Sequence, residues 1–178
     1  KTRHYGGFFY LFLTAFAVFN TMLLNTYKRQ PVAFTHGKGV WLTDTHGKTY
    51  LDALGGVAVN ALGHAHPAFV AAVSDQVGKL THCSNIYNIP LQTQLAEKIC
   101  QLSGMDAVFF ANSGAEANEG AIKIARLFGH NKGIAEPKIA VMTSSFHGRT
   151  LSALAATGNL KIQAGFAPLP TGFVRVPY

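Results

Sequence analysis

The stretch Asp106–Arg126, D-A-V-F-F-A-N-S-G-A-E-A-N-E-G-A-I-K-I-A-R, restricts the fold more than any other part of the chain. Val108, Phe109, Phe110 and Ala111 form a short uncharged run of the kind found in a strand covered on both faces. Asn112, Ser113 and Gly114 interrupt it with small polar residues suited to a turn or a helix start. Apolar residues then recur at Ala117, Ala121, Ile124, Ala125 and Phe128, the spacing of one buried stripe on a helix. The chain is therefore expected to leave a strand, turn through Ser-Gly-Ala and enter a helix. The leading amides and positive end of that helix would make an anion site suited to a phosphate. The same residues support a purely structural reading, because Ser113 and Glu116 have the spacing of a capping box. Neither G-x-G-x-x-G nor G-x-x-x-x-G-K-[ST] occurs in the turn, so both readings stay open on this motif alone.

Upstream, Val40–Thr43 and Thr49–Leu51 flank Asp44–Lys48, a pattern that predicts a β-hairpin. Ala53–Pro67 is rich in Gly and small residues and reads as a loop or broken element. His64 and His66 in that segment have no third ligand nearby, which favours turn and cap roles over a metal. Pro67–Leu80 reads as a helix with Phe69, Val70, Val73 and Val77 inward, and His82–Pro90 as a polar loop. A second amphipathic helix is expected over Pro90–Leu102, with Leu91, Leu95, Ile99 and Leu102 on one stripe and Gly104 closing it. Downstream, Lys138–Thr143 reads as a buried strand, Ser144–Arg149 as a turn and Thr150–Ala156 as a short helix. Strands alternating with helices imply βαβ units and a largely parallel sheet, in which ligands sit at the carboxyl ends of strands. Both turns, Asn112–Ala115 and Ser144–Arg149, fall at such ends.

The second turn, Ser145-Phe-His-Gly-Arg-Thr150, carries an aromatic ring and a guanidinium three residues apart. Phe146 could serve as a platform for a planar heteroaromatic ligand or as a core residue. Arg149 offers a planar fork suited to a carboxylate, or a solvated surface charge.

Taken together, A-N-S-G-A-E-A-N-E and S-F-H-G-R-T at this separation resemble the class III, pyridoxal-phosphate-dependent aminotransferases. The resemblance runs from about Leu23 to the end of the chain. It includes the Gly-Val-Trp-Leu-Thr-Asp hairpin, Leu62-Gly-His-Ala-His-Pro67 and His82-Cys-Ser-Asn85. It implies an α/β fold like that of the type I pyridoxal-phosphate transferases. Residues 22–90 would form an N-terminal segment, and residues 91–178 the first part of the large domain with its parallel-type sheet and flanking helices. It also implies pyridoxal 5'-phosphate as cofactor, its phosphate held by Ser113, Gly114 and Ala115 and its pyridine ring lying against Phe146. Arg149 would bind the substrate's α-carboxylate. Within the class, Phe146-His-Gly-Arg149 favours the members acting on acylated ornithine, with N2-acetyl-L-ornithine as donor and 2-oxoglutarate as acceptor. Enzymes for succinylornithine, ornithine or 4-aminobutyrate need the same cradle and remain alternatives. The resemblance further implies a cytoplasmic homodimer in arginine biosynthesis. Family members are roughly twice as long or more, and their Schiff-base lysine lies in the part this chain lacks. Lys123, Lys132, Lys138 and Lys161 are all outside the required context. The chain is thus expected to be an N-terminal fragment without activity of its own.

Charge and cysteine usage agree with a small anionic ligand. The net charge of +7 comes from 15 Lys+Arg against 8 Asp+Glu, without the clustered basic stripe that nucleic acids require. Cys83 and Cys100 have neither C-x-x-C spacing nor a disulfide framework, as in a reducing compartment. Residues 1–21 look foreign to the rest. The uncharged run Gly6–Leu24 admits a signal peptide, a membrane span, or upstream sequence ahead of a native start at Met22; the last is preferred. If Gly6–Leu24 were a genuine anchor, a non-catalytic membrane-attached protein would be the alternative reading.

Overall fold

The computed structural model describes residues 22–178, so the expectations for the extension over 1–21 lie outside the described residues. The chain divides into two compact units, one ending at His82 and the other running from Cys83 to Tyr178.

In the first unit, β1 (Phe34–Lys38), β2 (Trp41–Asp44) and β3 (Thr49–Leu51) form an antiparallel sheet in the order β1-β2-β3. The expected hairpin is β2–β3. Asp44 explains its turn, because one carboxylate oxygen accepts the amides of His46 at 2.8 Å and Lys48 at 2.9 Å. The other accepts the Tyr50 hydroxyl at 3.0 Å. Burial alone would raise the Asp44 carboxyl, but these hydrogen bonds outweigh it and hold the group below its ordinary value. The glycine-rich segment contains a single turn, α1 (Gly55–Ala58), wound left-handed with φ of 54°, 65°, 61° and 64°. Glycine adopts this freely, whereas Val57 and Ala58 do so at a cost of about 1–2 kcal/mol each. The segment is tied down where His64 Nε2 meets Asp52 Oδ2 at 2.7 Å and the His64 backbone bridges Gly39. Helix α2 (Pro67–Val77) follows, ending three residues earlier than Leu80. Phe69, Val70, Val73 and Val77, expected inward, are exposed. Periodicity identifies the apolar face of a helix but not what covers it.

The second unit opens with α3 (Pro90–Ser103), closed by Gly104 in the left-handed region at φ 73°, as its sequence predicts. Helix α4 (Gly114–Asn131) leads to β4 (Ile139–Met142), α5 (Leu151–Ala156), α6 (Leu160–Gln163) and β5 (Phe173–Val176). β4 and β5 pair in parallel, Ile139 with Phe173 through Met142 with Val176, so the crossover through α5 and α6 completes a βαβ unit. Ile122, Val141 and Ala156 form the buried centre, with Ile139 and Phe173 packed around it.

Two expectations about Asp106–Arg126 are corrected. Val108–Ala111 joins no ladder among the described residues, and a strand exists by pairing. The Phe109 ring instead lies beside Gly120, where an added Cβ would meet Phe109 Cε1 at 3.0 Å. The stripe Ala117, Ala121, Ile124, Ala125 and Phe128 faces outward, and α4 buries the flank beside it through Ile122 and Gly129. Gly129 fits there because Pro137 comes so close that a Cβ would lie 2.6 Å from it. The inner face thus combines an apolar side chain, Ile122, with a missing one at Gly129.

Candidate functional site

The break at Asn112–Gly114 becomes the start of α4. Ser113 is extended, at φ −153° and ψ 160°, and its Oγ accepts the Glu116 amide at 3.2 Å. The Glu116 carboxylate reaches back to the Asn112 amide at 2.7 Å. The capping arrangement is therefore real. It does not use up the anion site, because it consumes the amides of residues 112 and 116. The Gly114 and Ala115 amides precede the helix's own ladder. A hydroxyl that accepts one hydrogen bond still has a proton to donate, as does that of Ser113. An added Cβ at Gly114 would meet nothing within 4 Å, so the chain's own packing makes no demand for glycine at this position. These donors fit a phosphate.

The second turn is pinned beside the first. Gly148, at φ 133°, lies against the helix start; a Cβ there would be 2.8 Å from Ala115 Cβ and 3.0 Å from Ala153 Cβ. Asn118 Nδ2 donates to the His147 carbonyl at 2.7 Å. The His147 amide donates to Thr157 Oγ1 at 2.9 Å, and that hydroxyl donates in turn to the Ala153 carbonyl at 2.9 Å. Thr157 is fully buried. Its carbonyl accepts Arg175 Nη2 at 3.1 Å and Gln163 Nε2 at 2.7 Å. Gly158 donates its amide to the Ser145 carbonyl at 2.8 Å. The turn is thus held largely through its backbone, and of its side chains that of Ser145 is also engaged, its hydroxyl donating to the Met142 carbonyl at 2.6 Å.

Among those side chains, Phe146 is 64% exposed, so the core alternative for it is excluded here. The Arg149 guanidinium sits 5.8 Å from the Phe146 ring centroid, over its face. Ser113, Gly114 and Ala115 are therefore gathered with the Phe146–Arg149 turn inside one unit, the latter pair stacked on each other. None of the five lines the shallow groove formed by Gln92, Thr93, Ala96 and Val108–Phe110.

Sequence reasoning missed Asn118, Glu119 and Thr157. Glu119 Oε1 accepts the Thr150 hydroxyl at 2.5 Å and the Ala153 amide at 3.2 Å, supplying α5 with a cap that Thr150's own side chain does not provide. Burial would raise this carboxyl, yet the hydrogen bonds from Thr150, Ser152 and Ala153 leave it below its ordinary value. The signal available was two polar residues in succession, Asn118 and Glu119, in the first turns of the helix.

The family description Aminotransferase class-III matches residues 24–178. An acetylornithine aminotransferase from Nitrosomonas europaea is 60% identical over 156 residues, covering 88% of this chain and 40% of the relative. One from Synechocystis sp. is 52% identical over 91% of this chain and 38% of its own. Among solved structures, the ornithine aminotransferase from Toxoplasma gondii superposes with a TM-score of 0.84 at 30% identity, over 88% of this chain and 38% of that one. That protein carries PLP at partial occupancy in its active site. An omega transaminase from Pseudomonas jessenii in complex with PMP gives a TM-score of 0.76 at 29% identity, over 83% and 34% of the two chains. The chain therefore spans about two fifths of the length of the curated relatives it matches.

Proposed function

The chain belongs to the class-III aminotransferases, whose cofactor is pyridoxal phosphate and whose α/β fold it shares. From that premise we propose that it forms the N-terminal part of an enzyme that moves an amino group from N2-acetyl-L-ornithine to 2-oxoglutarate, in arginine biosynthesis. The identities to curated acetylornithine aminotransferases support this donor over its alternatives. In this reading residues 22–90 belong to the N-terminal segment and residues 91–178 open the cofactor-binding large domain. The complete enzyme is a cytoplasmic homodimer.

Pyridoxal phosphate, when bound, supplies the electron sink that lets nitrogen leave one carbon skeleton for another. Ser113 donates its hydroxyl to the phosphate, and the Gly114 and Ala115 amides add theirs at the positive end of α4. Phe146 offers its exposed face to the pyridine ring and shields that side from water. Arg149 receives the donor's α-carboxylate as a forked pair of hydrogen bonds, which orients the distal amine toward the cofactor. The observation that supports this reading is the contact of Gly148 with Ala115, which brings the turn carrying Phe146 and Arg149 against the first turn of α4.

Neither turn contains a lysine, and in this reading the amine that holds the cofactor covalently belongs to the remainder of the enzyme. We expect the isolated segment not to transaminate, and pyridoxal-phosphate-dependent turnover by it would overturn that expectation. The assignment is tested by comparing kcat/KM of the complete enzyme on acetylornithine, succinylornithine, ornithine and 4-aminobutyrate. The highest value should fall on acetylornithine; a clear preference for another donor would replace it.

A further inference from the structure

The geometry points to Asn118 and Glu119 as positioning residues that aim Arg149 at the donor's carboxylate. This rests on the role proposed for Arg149 and adds how that role is enforced. The two residues are neighbours on α4, and they grip the second turn at two points either side of Arg149. Asn118 Nδ2 holds the carbonyl of His147 at 2.7 Å. Glu119 Oε1 holds the Thr150 hydroxyl at 2.5 Å and the Ala153 amide at 3.2 Å. Both grips act on the residues that bracket the guanidinium, and both come from the helix whose first turn forms the phosphate seat. One rigid rod therefore fixes the distance between the seat and the carboxylate-binding group.

A long arginine side chain has several rotatable bonds, so its use as a fork depends on a fixed base. The ring of Phe146 steadies the guanidinium end, 5.8 Å away. Asn118 and Glu119 steady the backbone end. Loss of either grip lets the base of Arg149 shift relative to the seat without removing any group that touches cofactor or substrate. Displacement of about 1 Å at such a group can cost on the order of 10²-fold in rate.

The test uses the complete enzyme and two matched amines: acetylornithine and N-acetylputrescine, which is the same amine without its carboxylate. The first half-reaction is followed in single turnover by cofactor absorbance, with cofactor affinity and thermal unfolding measured in parallel. Asn118→Ala and Glu119→Ala should each raise the acetylornithine concentration for half-maximal rate roughly tenfold or more. N-acetylputrescine should react as in the parent enzyme, and cofactor affinity should not change. Glu119→Gln keeps an acceptor oxygen and should recover most of the loss. Equal slowing of both amines, or loss of the cofactor, would mean that the pair merely supports the fold and would overturn the inference. Arg149→Gln serves as the reference. If it leaves the preference for the carboxylated amine intact, the role of Arg149 itself fails. If it abolishes the preference while the Asn118 and Glu119 variants keep it, the positioning role alone fails.

Discussion

Gly148 and Ala115 touch so closely that no side chain can stand between them: a Cβ on Gly148 would lie 2.8 Å from the Ala115 methyl. This contact joins the turn after β4 to the first turn of α4, and with it the two halves of the proposed cofactor site. Sequence separation says nothing of such a meeting. It depends on a residue with no side chain and on a backbone angle of φ 133° that other residues avoid.

Gly148→Ala should therefore act twice, through an unfavourable backbone angle and through overpacking against Ala115 and Ala153. We expect the complete enzyme to lose about 2 kcal/mol or more of stability and to bind pyridoxal phosphate more weakly. Denaturant midpoints and a cofactor titration would show both.

Gly114→Ala makes the contrasting case. Nothing lies within 4 Å of the added methyl, and alanine is the better helix former by about 1 kcal/mol at interior positions. Stability should hold or rise slightly, while affinity for pyridoxal phosphate falls because the methyl enters the space assigned to the phosphate. Unchanged affinity would remove Gly114 from the seat.

These two glycines show what was legible in the sequence. The main helices, the β2–β3 hairpin, β4, the closure of α3 at Gly104 and both turns followed from local pattern, because turn chemistry and capping act over a few residues; β1 and β5 went unread, and Val108–Ala111 pairs with nothing among the described residues. The buried face of α4 did not. Its apolar stripe points outward, while Asn118, Ile122 and Gly129 face the unit's own core and second turn. Polar residues chosen for one long-range hydrogen bond leave no period to read. For the same reason Thr157, which looks like an ordinary residue after a run of alanines, carries the His147 amide.

Thr157→Val keeps the shape and removes the hydroxyl that accepts from His147 and donates to Ala153. The orphaned, buried His147 amide should cost about 1–3 kcal/mol, seen as a lower unfolding midpoint. Thr157→Ser should recover most of it.

Glu119 gives the site a dependence on acid. Its carboxyl is lowered on folding, against the effect of burial, by the hydroxyls of Thr150 and Ser152 and the Ala153 amide. A group lowered in this way contributes stability that is complete above its ordinary value of 4.5 and is lost as pH falls through the lower folded value. Glu119→Gln should therefore flatten the acid limb of the stability curve below about pH 4.5 and leave the neutral region nearly parallel to it. An unchanged acid limb would show that the carboxylate is not the group being titrated.

Two grips on residue 147 close on its peptide groups: the amide on Thr157, the carbonyl on Asn118. The imidazole takes no part in either. Its own contact is with the Ser145 hydroxyl, 3.4 Å from Nδ1, so another side chain able to adopt the same backbone angles should leave the two backbone grips in place. A chemist wanting a handle beside the proposed cofactor site, whether a fluorine label, a spin probe or a tethered inhibitor, would find it there.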